Sequence, residues 1–468
     1  MGTNDAKALK SGIWYTAASF LTKSIGFITT PLFTRLLTHE QYGLYSNYTS
    51  WLSTFTIFAT LALATSFISA RFDFEDDFDG YVLSTLVLSS IVTCAWALVI
   101  NLSPTFFMSL TTLDIKYINI MVVYLLMFSA VDMFQSRERY YFEYKITVLT
   151  SVGISVLTAV LSVILVLAME DKLLGRVLGS ALPTIIIGVF LYGVLLRRGK
   201  KITIKYWLYA LPICLPYIPH TLSLSLLNSM DKMMVTKICG AEANALYSVA
   251  YTCGAVVTLL ISALNTAFSP WLGEKLNGEH YNEIRKISKP YILLFTYLVC
   301  GILLFTPELL LFMGGPDYSE ATAVMPPVAL GCVCQFLYTL YVNVEQFKKK
   351  TLGMAVASVV ATLVNYVLNA LLIPAFGYVA AGYTTLLSYL TLLLIHMLLV
   401  RHMGLAKTYP TKLVFIVIVS MGVYALFVHY LYMNTILRYV IIGVYILVTL
   451  TLIIKNKMTI LSLLKARS

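Results

Sequence analysis

Stretches of about 20 residues with scarcely a charge recur along the whole of this chain, and that recurrence limits its fold more than any other feature. A segment of that kind crosses a bilayer as a helix, because each backbone N–H and C=O then finds its partner inside the segment. Apolar stretches fall at roughly 13–36, 44–70, 81–101, 117–136, 146–169, 174–196, 207–236, 246–270, 290–312, 323–346, 352–373, 378–400, 411–433 and 437–454. The composition agrees: 59% hydrophobic, 12% charged and a mean hydropathy of +0.83, too apolar for a soluble protein of 468 residues. The expected fold is an all-α polytopic membrane protein with about fourteen transmembrane helices. Residues 207–236 are long for one span, and Pro212, Pro216 and Pro219 predict a kink there.

A net charge of +11 would suggest a nucleic-acid binder in a soluble chain, but the positions of the cations exclude it. With the N-terminus inside, 25 of the 33 Lys and Arg fall on the inner side and 7 on the outer, leaving Lys23 within a span. This is the positive-inside bias, and it places both termini in the cytoplasm. The acidic loop Asp73, Glu75, Asp76, Asp77, Asp79 is an exception that counts little, because the bias is one of Lys and Arg. Seven cysteines lie in or beside spans, which is neither a disulfide framework nor a zinc site. Cys332-x-Cys334 is too weak a pair to change that. No phosphate-binding loop of the Gly-x-x-x-x-Gly-Lys type occurs, so ATP is not the expected driver.

The chain is internally duplicated. Glu40-Gln-Tyr-Gly-Leu-Tyr-Ser46 aligns with Glu242-Ala-Asn-Ala-Leu-Tyr-Ser248 at an offset of 202, which also pairs Arg35 with Lys237 and Glu143 with Glu345. Spans one to six then superpose on seven to twelve. Six is even, so the halves share an orientation and form parallel repeats with a site between them. The expected units are a six-helix lobe at 1–205, a second at 206–405, and two peripheral helices with a cytoplasmic tail at 406–468. Outer loops are short and leave no room for an extramembrane catalytic domain.

Lys23 lies near the middle of the first span. An ammonium at that depth is costly, so it must face a polar interior and meet an anion, either a charged cargo or a structural partner such as Asp132.

The segment Ile25-Gly-Phe-Ile-Thr-Thr-Pro-Leu-Phe-Thr-Arg-Leu-Leu-Thr38 followed by Glu40-x-Tyr-Gly-Leu-Tyr resembles the opening of bacterial polysaccharide (Wzx-type) flippases. Asn228-Ser-Met-Asp-Lys-Met-Met234, then Ala245-Leu-Tyr-Ser-Val-Ala-Tyr251, resembles the start of their second lobe. Asn365-x-x-x-Asn369-x-x-x-Ile-Pro-x-Phe-Gly377, Pro307-Glu308, Tyr318 and Pro326 fit as well, so the resemblance covers roughly residues 10–400. That family belongs to the multidrug/oligosaccharidyl-lipid/polysaccharide exporter superfamily, with two six-helix lobes around a central cavity. Many of its members are read with twelve helices, so fourteen is a departure towards the peptidoglycan-precursor flippases.

The resemblance implies a transporter rather than an enzyme. Its cargo would be an oligosaccharide on an undecaprenyl-diphosphate-type lipid, moved from the inner to the outer leaflet of the bacterial cytoplasmic membrane by alternating access. It also implies membrane lipids, a polysaccharide polymerase and export proteins as partners, and no nucleic acid. A peptidoglycan-precursor flippase or a multidrug/cation antiporter of the same superfamily is the alternative. A membrane polymerase or acyltransferase is a remote one, for want of a catalytic constellation or long outer loop.

Lys23, Arg35, Arg71, Lys232 and Lys237 are the candidate diphosphate-binding residues, since several cations, Arg with its fork among them, hold a diphosphate well. Arg35, Lys232, Lys237 and Arg71 near span ends serve equally as interfacial anchors. Asp231, Asn365, Asn369 and Thr385 fall in the outer parts of their spans and offer the oxygens a hard cation prefers. The resemblance implies a sodium site between spans seven and eleven at these positions, whereas the residues alone suit an interhelical hydrogen-bond network as well. No cofactor is expected beyond a coupling Na⁺ or H⁺. His220 and His396 are titratable groups within spans.

Overall fold

The apolar stretches fold as helices throughout the computed structural model, which describes residues 3–455; the tail cations Lys457, Lys465 and Arg467 lie outside the described residues. The first half runs α1 (Thr3–Leu36), α2 (His39–Thr60), α3 (Phe67–Asp73), α4 (Phe78–Leu102), α5 (Pro104–Thr111), α6 (Ile115–Tyr140), α7 (Tyr144–Ala168) and α8 (Lys172–Gly199). Then come α9 (Ile204–Cys214), α10 (Ile218–Cys239), α11 (Ala241–Asn277), α12 (Tyr281–Leu304) and α13 (Thr306–Met313). α14 (Met325–Phe347), α15 (Thr351–Phe376), α16 (Val379–His402), α17 (Thr411–Met433) and α18 (Thr435–Lys455) complete the chain.

Among the described residues, twelve helical segments are long and apolar enough to cross a membrane, or thirteen when α2 and Leu63–Asp73, bent by 50° to one another, count as one span. α1 covers the first expected span but falls outside that number. The reason is its load of Thr22, Lys23, Ser24, Thr29, Thr30 and Pro31, which the functional site explains. The expected kink after Pro212 is a break: α9 stops at Cys214, a 3₁₀ turn spans Leu215–Tyr217, and Pro219 opens α10.

The offset of 202 recurs in the elements themselves. α2 begins at His39 and α11 at Ala241, behind Thr38 and Gly240. Thr38 closes a capping box with Gln41, whereas Gly240 takes a φ of 92° that suits glycine. The short helices α5 and α13 are also 202 apart at both ends, and each carries a proline in its first turn.

Two cores fill the first half, one around Leu63, Phe67, Tyr81 and Phe134, the other around Tyr48, Phe107 and Tyr117. α9 joins the former through Tyr206, Ala210 and Cys214. The second half packs around Phe295, Phe336 and Leu337, and α17 lays Val414, Val417 and Met421 on that core. A further core joins the halves, with Phe33 and Tyr42 of the first against Tyr247, Val249 and Met313 of the second.

Hydrogen bonds between the halves gather where α1 ends. Thr34 donates to Met313 O at 2.6 Å, Arg35 to Phe312 O at 3.0 Å, and Asn244 to Gly43 O at 2.8 Å. A Cβ on Gly43 would lie 1.8 Å from Ala241 O, so backbone meets backbone there. That end of the bundle is shut.

Candidate cargo cavity and buried cation site

Lys23 lines a cavity of about 340 Å³ between α1 and the second half. Asn228 of α10, Tyr251 of α11, Gln335 of α14, and Thr385 and Tyr389 of α16 form the facing wall. Lys23 is exposed to this space and has no carboxylate within ion-pair distance among the described residues. Asp132 therefore does not pair with it. An ammonium so placed is a cation without its anion.

Directly behind Thr385 lies Asp231, 2% exposed. Its Oδ2 accepts from Tyr247 at 2.8 Å and from the Thr385 hydroxyl, and its Oδ1 accepts from Asn369 Nδ2 at 2.7 Å. The same Asn369 nitrogen donates to Asn365 Oδ1 at 3.1 Å, and Asn369 Oδ1 accepts from Thr384. The Asn369 amide thus bridges two oxygens, of Asp231 and Asn365, through its two N–H groups. One carboxylate among buried amide and hydroxyl oxygens matches a hard monovalent cation in charge and in donor type. Among the described residues no cluster of three His, Cys, Asp or Glu suits a metal ion.

The structure brings the four expected residues Asp231, Asn365, Asn369 and Thr385 together, and does so on α10, α15 and α16. Asn365 and Asn369 share a face at i,i+4. Thr385 belongs to both places, bonded to the acid and lining the Lys23 cavity.

The other expected cations are scattered. Lys232 sits over the Tyr251 ring at 4.9 Å, next to the cavity wall. Arg35 turns to the carbonyls of Pro31, Leu311 and Phe312, tying α1 to α13 at the shut end. Lys237 is exposed at the end of α10. Arg71 stands over the Tyr141 ring at 4.6 Å, where Arg137 also lies at 4.5 Å, remote in sequence and packing from Lys23. Arg137 in turn grips Asp79 through two nitrogens, at 2.6 and 3.1 Å, and Glu138 at 2.7 Å. His396 pairs with Glu345 at 2.7 Å, deep in the second half, and His220 meets Ser358 at 3.0 Å.

Two contributors escaped the sequence: Tyr247 and Thr384. Tyr247 carried a signal, since it is the Tyr of the duplicated Leu-Tyr-Ser motif. Thr384 had only its neighbour Thr385 to recommend it.

A bundle of apolar helices with paired halves and a charged, hydroxyl-lined cavity between them is the architecture of a membrane flippase or transporter. The chain belongs to the polysaccharide biosynthesis protein family, whose pattern it matches over residues 8–276, and the MatE pattern is matched over residues 216–371. It is 25% identical over 285 residues to the Lsg locus putative protein 1 of Haemophilus influenzae, covering 58% of this chain and 67% of that one. Its fold is similar to that of the lipid II flippase MurJ in an inward closed conformation, with a TM-score of 0.72 at 15% identity over 96% of this chain and 100% of that one. An inward-facing multidrug resistance MATE family transporter of the MOP superfamily is similar too, with a TM-score of 0.59 at 14% identity, covering 84% and 96%.

Proposed function

We propose that this protein carries a polyprenyl-diphosphate-linked oligosaccharide from the inner to the outer leaflet of the bacterial cytoplasmic membrane, exchanging it against a Na⁺ or H⁺ gradient. The residues at 1–205 and 206–405 act as the two moving lobes. The observation that carries this reading is Lys23, an unpaired cation in a cavity whose opposite wall, Thr385, is bonded to the buried acid Asp231.

An unpaired ammonium within a membrane cavity suits a diphosphate and repels a cationic drug, which favours the flippase over the antiporter reading. Lys232 is close enough to the same wall to add a second cation. With the N-terminus in the cytoplasm, the shut end is the outer one and the cavity serves cargo arriving from the inner leaflet. Asp231, Asn365, Asn369 and Thr385 would hold the coupling cation, and Thr385, bonded to the acid and lining the cavity, would link the two places. Ion occupancy is thereby felt at the cargo wall.

The test is leaflet translocation in proteoliposomes of a fluorescent polyprenyl-diphosphate oligosaccharide, with lipid II and a cationic dye as comparison cargoes. Wild type should move the first, and K23A should lose at least about tenfold in rate, the worth of a charge-assisted contact of 1.4 kcal/mol or more. Preferential transport of lipid II would make this a peptidoglycan-precursor flippase. Transport of the dye alone would overturn the reading.

A further inference from the structure

A second polar chamber lies inside the first half. It measures about 270 Å³ and is walled by α1, α2, α6, α7 and α8. Seven of its fifteen lining residues are Ser or Thr and two are Tyr, and not one is acidic. α1 divides the two chambers: Thr22, Gly26 and Thr29 line this one while Lys23 lines the other. That double duty accounts for the polarity of α1.

One charge enters the chamber, Arg176 of α8. Its guanidinium is clamped between two rings, 3.7 Å from the Phe33 centroid and 4.2 Å from that of Tyr45. Nη1 donates to Ser162 at 2.5 Å. Nε is buried with no acceptor, and among the described residues no carboxylate pairs with the group. Ser162 can come this close because Gly175 and Gly179 let α8 lie against the α7 backbone; a Cβ at Gly179 would be 2.3 Å from Ser162 Cα. The clamp fixes the guanidinium plane without neutralising it. Donors and charge are left over, and both ask for an oxyanion.

The duplication sharpens this. At the offset of 202, Thr29 answers to Asp231 and Tyr45 to Tyr247. In the second half Tyr247 donates to an acid that suits a cation. In the first half Tyr45 faces a guanidinium instead, and the acid's place is taken by a threonine hydroxyl. The Tyr of the duplicated motif thus meets a guanidinium in the first half and a buried acid in the second.

We propose that the Arg176 chamber is a subsite for an acidic sugar of the cargo, one ring deep, with its hydroxyls on Thr29, Thr49, Thr158, Ser180 and Thr184 and its carboxylate or other oxyanion on Arg176. The inference rests on the lipid-linked oligosaccharide reading and names the class of sugar that reading leaves open. The Tyr124 side chain and many hydroxyls suit a pyranose better than a bare phosphate, and the volume admits a ring rather than a whole repeat unit. Lys23, on the far side of α1, is left for the diphosphate.

The experiment measures binding to the full-length protein in lipid nanodiscs of two short-chain prenyl diphosphates. One bears a neutral disaccharide, the other the same disaccharide ending in glucuronate. Wild type should bind the acidic ligand about tenfold or more tightly, the span of a charge-assisted hydrogen-bond pair. R176Q should erase that preference and leave the neutral ligand unchanged. T184V, which spares the clamp and so keeps the test open if R176Q does not fold, should weaken both ligands. Equal loss of both ligands in R176Q would assign the arginine to the diphosphate and overturn the sugar subsite. So would unchanged binding in R176Q, or in T184V. If wild type binds neither ligand, the lipid-linked oligosaccharide reading itself falls, and the subsite with it.

Discussion

The hydroxyls of Ser46 and Ser248 meet at 2.7 Å, and these are equivalent residues of the two halves, 202 positions apart. A residue that touches its own counterpart lies on the axis relating the repeats, so α2 and α11 cross at the centre of the shut end. Ser248 also donates to Asn244, which holds Gly43 O, so the contact sits in a chain of buried hydrogen bonds. In a background lacking the seven native cysteines, the double variant S46C/S248C should form a disulfide on mild oxidation, because side-chain atoms already this close need little movement to bridge. Adding G43V should slow that reaction severalfold, since no side chain fits against Ala241 O without parting the halves. Crosslinking at equal rates with and without G43V would mean the end opens freely and is no gate.

Sodium should stabilise the wild-type protein against heat and leave D231N untouched. A ligand that binds only the folded state contributes about 2.7 kcal/mol at one hundred times its dissociation constant. The comparison is the melting temperature in NaCl against choline chloride at matched ionic strength. N369A should resemble D231N, because the Asn369 amide spans Asp231 and Asn365. A wild type indifferent to sodium from low to molar concentration would make the cluster a hydrogen-bond network, leaving the proton as coupling ion.

What the sequence revealed and hid follows from the kind of contact involved. Asp231, Asn365, Asn369 and Thr385 were legible because depth along a helix and i,i+4 spacing are properties of the string, and polar groups at like depth in lipid seek each other. Arg35 and Lys237 looked alike for the same reason, being equivalent positions at helix ends. Yet Arg35 meets the C-terminal carbonyls of α13 and Lys237 meets none, a difference fixed by which helix packs alongside. In the sequence Arg176 is only one of the seven outer-side cations, and a cation in the second turn of a span normally reaches the interface. Its burial between Phe33 and Tyr45 depends on α1 and α2, whose closeness no local pattern encodes. The polarity of α1 marks it as the partition between two chambers.

Arg438 fastens the peripheral pair of helices. Its Nη2 and Nη1 hold Glu308 of α13 at 2.6 and 3.0 Å, and Tyr439 adds a bond at 2.9 Å. Arg438 is 4% exposed and Glu308 reaches water, so removing the cation strands an acid that is only partly desolvated. R438M should cost about 2–3 kcal/mol, near the lower limit for a broken buried pair. It should also raise hydrogen exchange in α18 ahead of α12, to which α18 is otherwise joined by the Tyr297–Tyr445 stack at 4.6 Å. Unchanged exchange in α18 would show that this stack, with the Tyr297–Thr449 hydrogen bond at 2.6 Å, suffices without Arg438.

Glu345 and His396 make a sharper case, because neither sees solvent. The side chains are 0% and 3% exposed, one carboxylate oxygen is 2.7 Å from His396 Nδ1, and the other has no partner. Tyr338 covers the imidazole with ring centroids 5.7 Å apart. In H396A the carboxylate loses its one partner inside the core, so the cost should approach about 3–5 kcal/mol, that of orphaning a buried charge. E345Q keeps a carbonyl oxygen to accept from the imidazole and should cost about 1 kcal/mol, a single weakened hydrogen bond. Melting temperatures in detergent compare the two directly, and H396A should fall well below E345Q. Equal and small losses would instead mean that the pair contributes no more than a single neutral hydrogen bond.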